Sequence, residues 1–241
     1  MHGGQKKTLD PLATILALLL TPLMLSSVRG GDWRQFRGNE SNGVAADSDR
    51  VTRARVALPP VRWSETENIA WRADLPGHGP SSPIVVAGHV IVTASSGTPE
   101  NRLHVLSYSA TTGKLEWHRQ FWATGRTMVQ PTTAVATPTP TSDGNRVFAL
   151  FSSGDFVCFD LDGNLLWLRS LQIEHPAAGN DVGMASSPLV VGPTVIVQFE
   201  SQGDSFATGF DAAKGATRWQ IARPRLGNWS SPIALRGKSV A

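Results

Sequence analysis

The chain has 241 residues, 41% of them hydrophobic and 17% charged, with eight Trp, a single Cys and a formal net charge of +3. One cysteine, Cys158, excludes an internal disulfide, and the composition excludes a disordered or fibrous chain. Without residues 1–30 the net charge falls to +1, which gives no electrostatic case for nucleic acid or an acidic membrane as partner.

Lys6 and Lys7 precede an apolar run over 12–25, shorter than the ~20 residues a membrane span needs. Small residues follow, Ser26-Ser27-Val28-Arg29-Gly30, so residues 1–30 read as a cleavable signal peptide, with an uncleaved anchor as the rival reading. The mature protein is expected to be exported, periplasmic or extracellular, and not integral to a membrane. Residues 31–64 carry little periodicity and predict an N-terminal arm laid over the domain, anchored by Trp33 and Phe36.

Residues 65–241 predict an all-β chain of short strands separated by Gly, Asp, Asn and Pro turns. The stretch 65–75, with Trp71, matches the last strand of a repeat whose first strands are missing. A first full unit follows over 82–122, a second over 138–172 and a third over 186–223, each with four strands and no helical periodicity between them. Residues 229–241 open a fourth. The units share a register: Gly113 with Trp117, Gly163 with Trp167 and Gly215 with Trp219, always four apart. Four-stranded sheets recurring at this period predict β-propeller blades. The glycine falls in the turn between third and fourth strands, where a positive φ is expected. Ser107, Cys158 and Gly209 are small residues just upstream, expected to let an indole from a neighbouring blade lie flat against the backbone. Cys158 therefore reads as a packed small residue rather than a reactive thiol.

The pattern small-x-Asp-x-x-Thr-Gly-x-x-x-Trp resembles the tryptophan-docking repeat of pyrroloquinoline-quinone (PQQ)-type β-propellers. Asp160 and Asp211 fill its aspartate place, with Ser109 in the first unit, and Thr112 fills the threonine place, with Asp162 and Lys214 elsewhere. The segments 32–38, 63–71 and 76–83 are similar to exported PQQ-like repeat proteins of planctomycete-type bacteria. The resemblance covers about residues 32–241 and implies a fold shared by quinoprotein dehydrogenases and by non-catalytic scaffolds. Among the scaffolds is the periplasmic propeller of the outer-membrane β-barrel assembly machinery. Three units and a fraction fall short of the usual 4–8 blades, so a truncated product or a fragment of a longer protein is expected.

In such a propeller the loops entering each first strand ring the channel mouth. Here they carry His78, Arg126, Asn180, Asp181, Asn228 and Trp229, the candidates for contact with another protein or a small ligand. No pattern of nucleophile with base, metal-ligand spacing, haem attachment or phosphate loop is present, so no catalytic, cofactor-binding or metal-binding residue is assigned. The resemblance to PQQ enzymes of the alcohol dehydrogenase type implies adjacent cysteines and carboxylate and amide ligands to calcium, which this sequence lacks. The reading is an exported non-catalytic scaffold that binds protein or ligand and needs no cofactor. The alternative is part of a PQQ- and calcium-dependent oxidoreductase acting on alcohols or sugars.

Overall fold

Strands form where apolar residues run between turn-forming ones, and twelve appear in the computed structural model, which describes residues 31–44 and 60–235. The expected signal peptide lies outside the described residues. The first sheet contains β1 (Ile84–Val86), β2 (His89–Ser96), β3 (Arg102–Ser109) and β4 (Leu115–Trp122). The second contains β5 (Thr141–Ser142), β6 (Arg146–Leu150), β7 (Asp155–Asp160) and β8 (Leu165–Ser170). The third contains β9 (Leu189–Val191), β10 (Thr194–Phe199), β11 (Phe206–Asp211) and β12 (Thr217–Ala222). Each sheet is an antiparallel meander in sequence order, the form of a propeller blade. One helical turn that the sequence pattern did not predict, α1 (Leu171–Glu174), follows β8.

The burial pattern explains how the blades stack. In the middle blade the runs Val147–Phe151 and Phe156–Phe159 are buried on both faces. Val147, Ala149, Phe151, Val157 and Phe159 pack with Ile84, Leu103 and Val105 of the first blade. The alternate residues Phe148, Leu150, Phe156 and Cys158 pack with Val195, Val197 and Phe199 of the third. A strand buried on both faces needs a continuous apolar run, whereas β10 of the third blade keeps the two-residue alternation of a sheet covered on one side.

The Gly and Trp positions meet between blades. The turn glycines have φ of 69° at Gly113, 80° at Gly163 and 69° at Gly215, a region that side chains disfavour. A Cβ on Gly113 would fall 2.5 Å from the ring of Trp71, on Gly163 2.7 Å from that of Trp117, and on Gly215 2.7 Å from that of Trp167. Each indole N–H also donates to a carbonyl of the same turn: Trp71 to Ala110 at 3.0 Å, Trp117 to Leu161 at 2.7 Å and Trp167 to Ala212 at 3.1 Å. Two residues after the tryptophan, Arg119 Nε donates to the Gly163 carbonyl at 2.6 Å and Arg169 to that of Gly215 at 2.5 Å. The repeat's aspartates hold the turn rigid. Asp160 accepts from the side chain and backbone N–H of Asn164, and Asp211 from Arg218 and the N–H groups of Ala213 and Lys214. These donors keep both carboxyls below the usual carboxylate range.

Three expectations change. The neighbouring indole lies on the turn glycine, not on Ser107, Cys158 or Gly209. Those small residues are cross-strand partners of their own blade's tryptophan: Ser107 with Trp117, Cys158 with Trp167 and Gly209 with Trp219. A β-bulge follows each of them, so their size accommodates an indole turned toward the next blade. Second, the 65–75 segment seats Trp71 but forms no strand, because no hydrogen-bonding neighbour runs beside it among the described residues. Third, Phe36 does not anchor the arm. The inner strand edges offer hydrogen-bonding groups rather than an apolar bed, so the arm is held by Trp33, paired with Val85 at 2.8 and 2.9 Å, and by the Arg34 carbonyl, which accepts from Ser142 N–H at 2.8 Å.

Trp117 is 7% exposed, Trp167 9% and Trp219 37%. Trp117→Ala is expected to lower unfolding free energy by about 3–5 kcal/mol, the usual cost of emptying an aromatic site, and Trp219→Ala by much less. Urea denaturation of the two variants measures the difference.

Candidate functional site

Three loops that precede the first strands, 126–138, 175–186 and 223–230, gather at one end of the blades and are pinned in series. Ser152 N–H donates to the Val135 carbonyl at 2.8 Å, Met184 N–H to Ser152 Oγ at 2.6 Å, and Trp229 Nε1 to the Gly183 carbonyl at 2.9 Å. Between them lies a cavity of about 330 Å³ lined mainly by apolar groups, including Val129, Ala134, Val182, Met184 and Trp229. Its polar lining is neutral, Gln130, Thr133, Thr137 and Ser152. Such a cavity binds by burying apolar surface, with a few hydroxyl and amide groups to orient what enters.

Of the candidates read from the sequence, Trp229 lines this cavity. The others do not converge on it. His78 bridges to Ser95 through its backbone and sets its Nε2 3.1 Å from Glu100 Oε1. Arg126 uses its backbone N–H on Gln172 Oε1. Asn180 donates to Met184 Sδ at 3.0 Å and the Glu200 carbonyl at 3.2 Å. Asn228 accepts from Ser230 N–H at 3.0 Å, and Asp181 is exposed. These polar groups shape the loops.

A second feature escaped the sequence reading although its signal was present. Each strand-opening proline follows a hydroxyl residue: Ser82, Thr139, Ser187 and Ser231. Along the inner channel, where first strands of successive blades face one another, these link up. Ser82 N–H donates to Thr139 Oγ1 at 3.0 Å, Thr139 N–H to Ser187 Oγ at 3.0 Å, and Ser187 N–H to Ser231 Oγ at 2.9 Å. Backbone donors that a missing neighbouring strand would orphan are satisfied in this way.

The titratable groups lie elsewhere. Ser96 Oγ sits 2.8 Å from His104 Nε2, and His104 Nδ1 sits 2.9 Å from His118 Nε2. The row is a nucleophile, a base and a second imidazole in line, but it lines neither the mouth cavity nor the inner channel. Burial, then His118 and Arg102, lower the His104 pKa to about 4. Burial and Arg119 lower that of His118. Two facing imidazoles can share a hydrogen bond only if one is an acceptor, so protonating both breaks it. Burial raises the Cys158 thiol to about 12, which leaves it an inert packing group. Among the described residues no group of three or more His, Cys, Asp or Glu is placed to hold a metal ion, and no helix is long and apolar enough to cross a membrane.

The sequence matches the family model described as outer membrane protein assembly factor BamB over residues 29–177 and again over 123–236. The chain belongs to this family. Like the blades described above, the family is built from PQQ-type repeats. No curated protein matches the chain. Among solved structures it is similar to a europium-containing methanol dehydrogenase, at 19% identity and a TM-score of 0.44 over 58% of this chain and 24% of that one. It is also similar to the quinohemoprotein alcohol dehydrogenase from Comamonas testosteroni, at 17% identity and 0.43 over 61% and 21%. A third is BamB from Moraxella catarrhalis, at 17% identity and 0.39 over 63% and 41%. The chain thus spans less than half the length of each of these structures.

Because the folded pKa of His104 lies below the unfolded value of 6.5, its contribution to stability is complete above pH 6.5 and is lost as pH falls toward 4. Melting temperature is expected to drop through that window, and His104→Asn is expected to flatten the dependence in a pH series of thermal melts.

Proposed function

We propose that this BamB-family chain is an exported, non-catalytic β-propeller that binds a partner protein at the mouth of its blades, through an apolar side chain of that partner. The observation that carries the reading is the cavity between the three blade-leading loops. It is neutral, dominated by apolar lining and has Trp229 in its wall. The indole is fixed by its bond to Gly183, so it presents a preset face rather than one that must be ordered on binding. The family's description as an assembly factor supports a protein as the partner. The expected export signal supports a periplasmic or extracellular setting.

The rival reading is a PQQ-dependent oxidoreductase, and the residues present do not fit that cofactor with calcium. A hard cation takes several oxygen ligands with carboxylates among them, and no carboxylate lines the mouth cavity. The single cysteine is buried between blades, so no adjacent pair flanks the cavity.

The test uses the full chain, peptides selected against it by display, and PQQ with Ca²⁺. Selected peptides are expected to carry a large apolar residue and to change Trp229 emission. Val129→Glu, which also gives up some packing against the core, is expected to weaken them by at least about tenfold in protein still folded at the assay temperature. Saturable thermal stabilisation by PQQ with Ca²⁺, or peptide binding indifferent to Val129→Glu, would overturn the reading.

A further inference from the structure

The inner channel holds a second cavity, of about 440 Å³, that meets the mouth region at Trp229 and differs from it in chemistry. Ser82, Thr139, Ser187 and Ser231 stand in its wall, and Phe36 and Arg37 of the N-terminal arm line it as well. Thr139 and Ser187 are only 2% and 3% exposed. The hydroxyls of Thr139, Ser187 and Ser231 each accept a backbone N–H from the preceding blade. That fixes the oxygen as acceptor and leaves the hydroxyl proton to donate, and no hydrogen bond donated by the three is found among the described residues. Three hydroxyl donors therefore stand along one wall.

Arg37 supplies the charge. Its φ of 61° puts it in the left-handed region, an unusual position for a residue other than Gly, Asn or Asp. The arm holds it there. Gly43 N–H donates to the Arg37 carbonyl at 2.8 Å, Arg34 N–H to Asn39 Oδ1 at 2.9 Å, and Asn39 Nδ2 to the Asp32 carbonyl at 2.8 Å. The ring of Trp33 covers Gly38, where a Cβ would fall 2.8 Å from it. Arg37 is exposed, no ion pair or side-chain hydrogen bond of its guanidinium is found among the described residues, and no carboxylate lines the cavity. A cation beside a wall of hydroxyl donors, in a cavity with no carboxylate, is suited to an anion.

The geometry points to the inner channel as a binding site for the carboxylate of an organic acid, free or at a peptide C-terminus. Arg37 pairs with the carboxylate and the hydroxyls of Thr139, Ser187 and Ser231 donate to it. Phe36 and Trp229 flank the apolar remainder of the ligand. The site shares Thr137, Ala185 and Trp229 with the mouth cavity, but Arg37 and the three hydroxyls belong to it alone.

Titration calorimetry on the full chain tests it with benzoate and benzamide, and with a tripeptide ending in Phe as free acid and as amide. Benzoate is expected to bind saturably and benzamide at least about tenfold more weakly, since only the first offers a charged acceptor. Arg37→Gln is expected to cost benzoate about tenfold or more and Arg37→Lys to retain part of the affinity. Tighter binding of the peptide acid than of benzoate assigns a chain terminus as the natural source, and the reverse order a small acid. Equal binding of benzoate and benzamide overturns the proposal, as does benzoate affinity unchanged by Arg37→Gln. Loss with Val129→Glu but not Arg37→Gln would move the acid to the mouth.

Discussion

Each of the two boundaries between complete blades rests on an indole laid against a glycine of the next blade. The glycine is required twice over, by its positive φ and by the absence of a Cβ where the ring sits. The indole is amphipathic, and both of its properties are used: the ring buries apolar surface and the N–H satisfies a turn carbonyl. An arginine two residues on then takes the glycine's own carbonyl. Dispersion, hydrogen bonding and a charged donor are thereby concentrated on a turn of a few residues. The rest of the interface is interleaved aliphatic and phenyl side chains, which fill space but do not specify which turn meets which strand.

Much of this was legible in the sequence, because a register of Gly and Trp four apart cannot recur three times by strand spacing alone. The strand order and the positive-φ turns follow from it. What was not legible is direction. Spacing shows that an indole, a small residue and a glycine belong together, but not whether the indole turns back on its own sheet or forward onto the next. The bulge after Ser107, Cys158 and Gly209 decides that, and a bulge leaves no mark in residue types when the position tolerates Ser, Cys or Gly. The one-turn helix after β8 left no periodicity to read, being too short to show any.

The loop residues followed a different logic. Polar side chains in loops look like ligands from sequence, yet His78 is taken by Glu100, Asn180 by Met184 and the Glu200 carbonyl, and Asn228 by the N–H of Ser230. Trp229 was distinguishable only by type, since an aromatic in a polar loop has no local partner. The hydroxyl before each proline was visible all along, but its meaning depends on first strands of different blades lying side by side. Arg37 was hidden for a related reason: the arm lacks a repeat, so nothing in its pattern says that it reaches the channel.

The bonds of the indole turn and of the first-strand row share one direction, while the loops at the mouth donate back the other way. Indole, arginine and first-strand N–H are donors on the earlier blade, while turn carbonyl and hydroxyl are acceptors on the later one. The first and second blades therefore carry a complete plug and socket, whereas the third has Ile221 where the arginine stands in the others. A duplication or deletion of a whole unit joins like surfaces to like and demands no compensating change, whereas half a unit leaves a plug without a socket. The architecture is in that sense a grammar: it can grow or shrink by whole words.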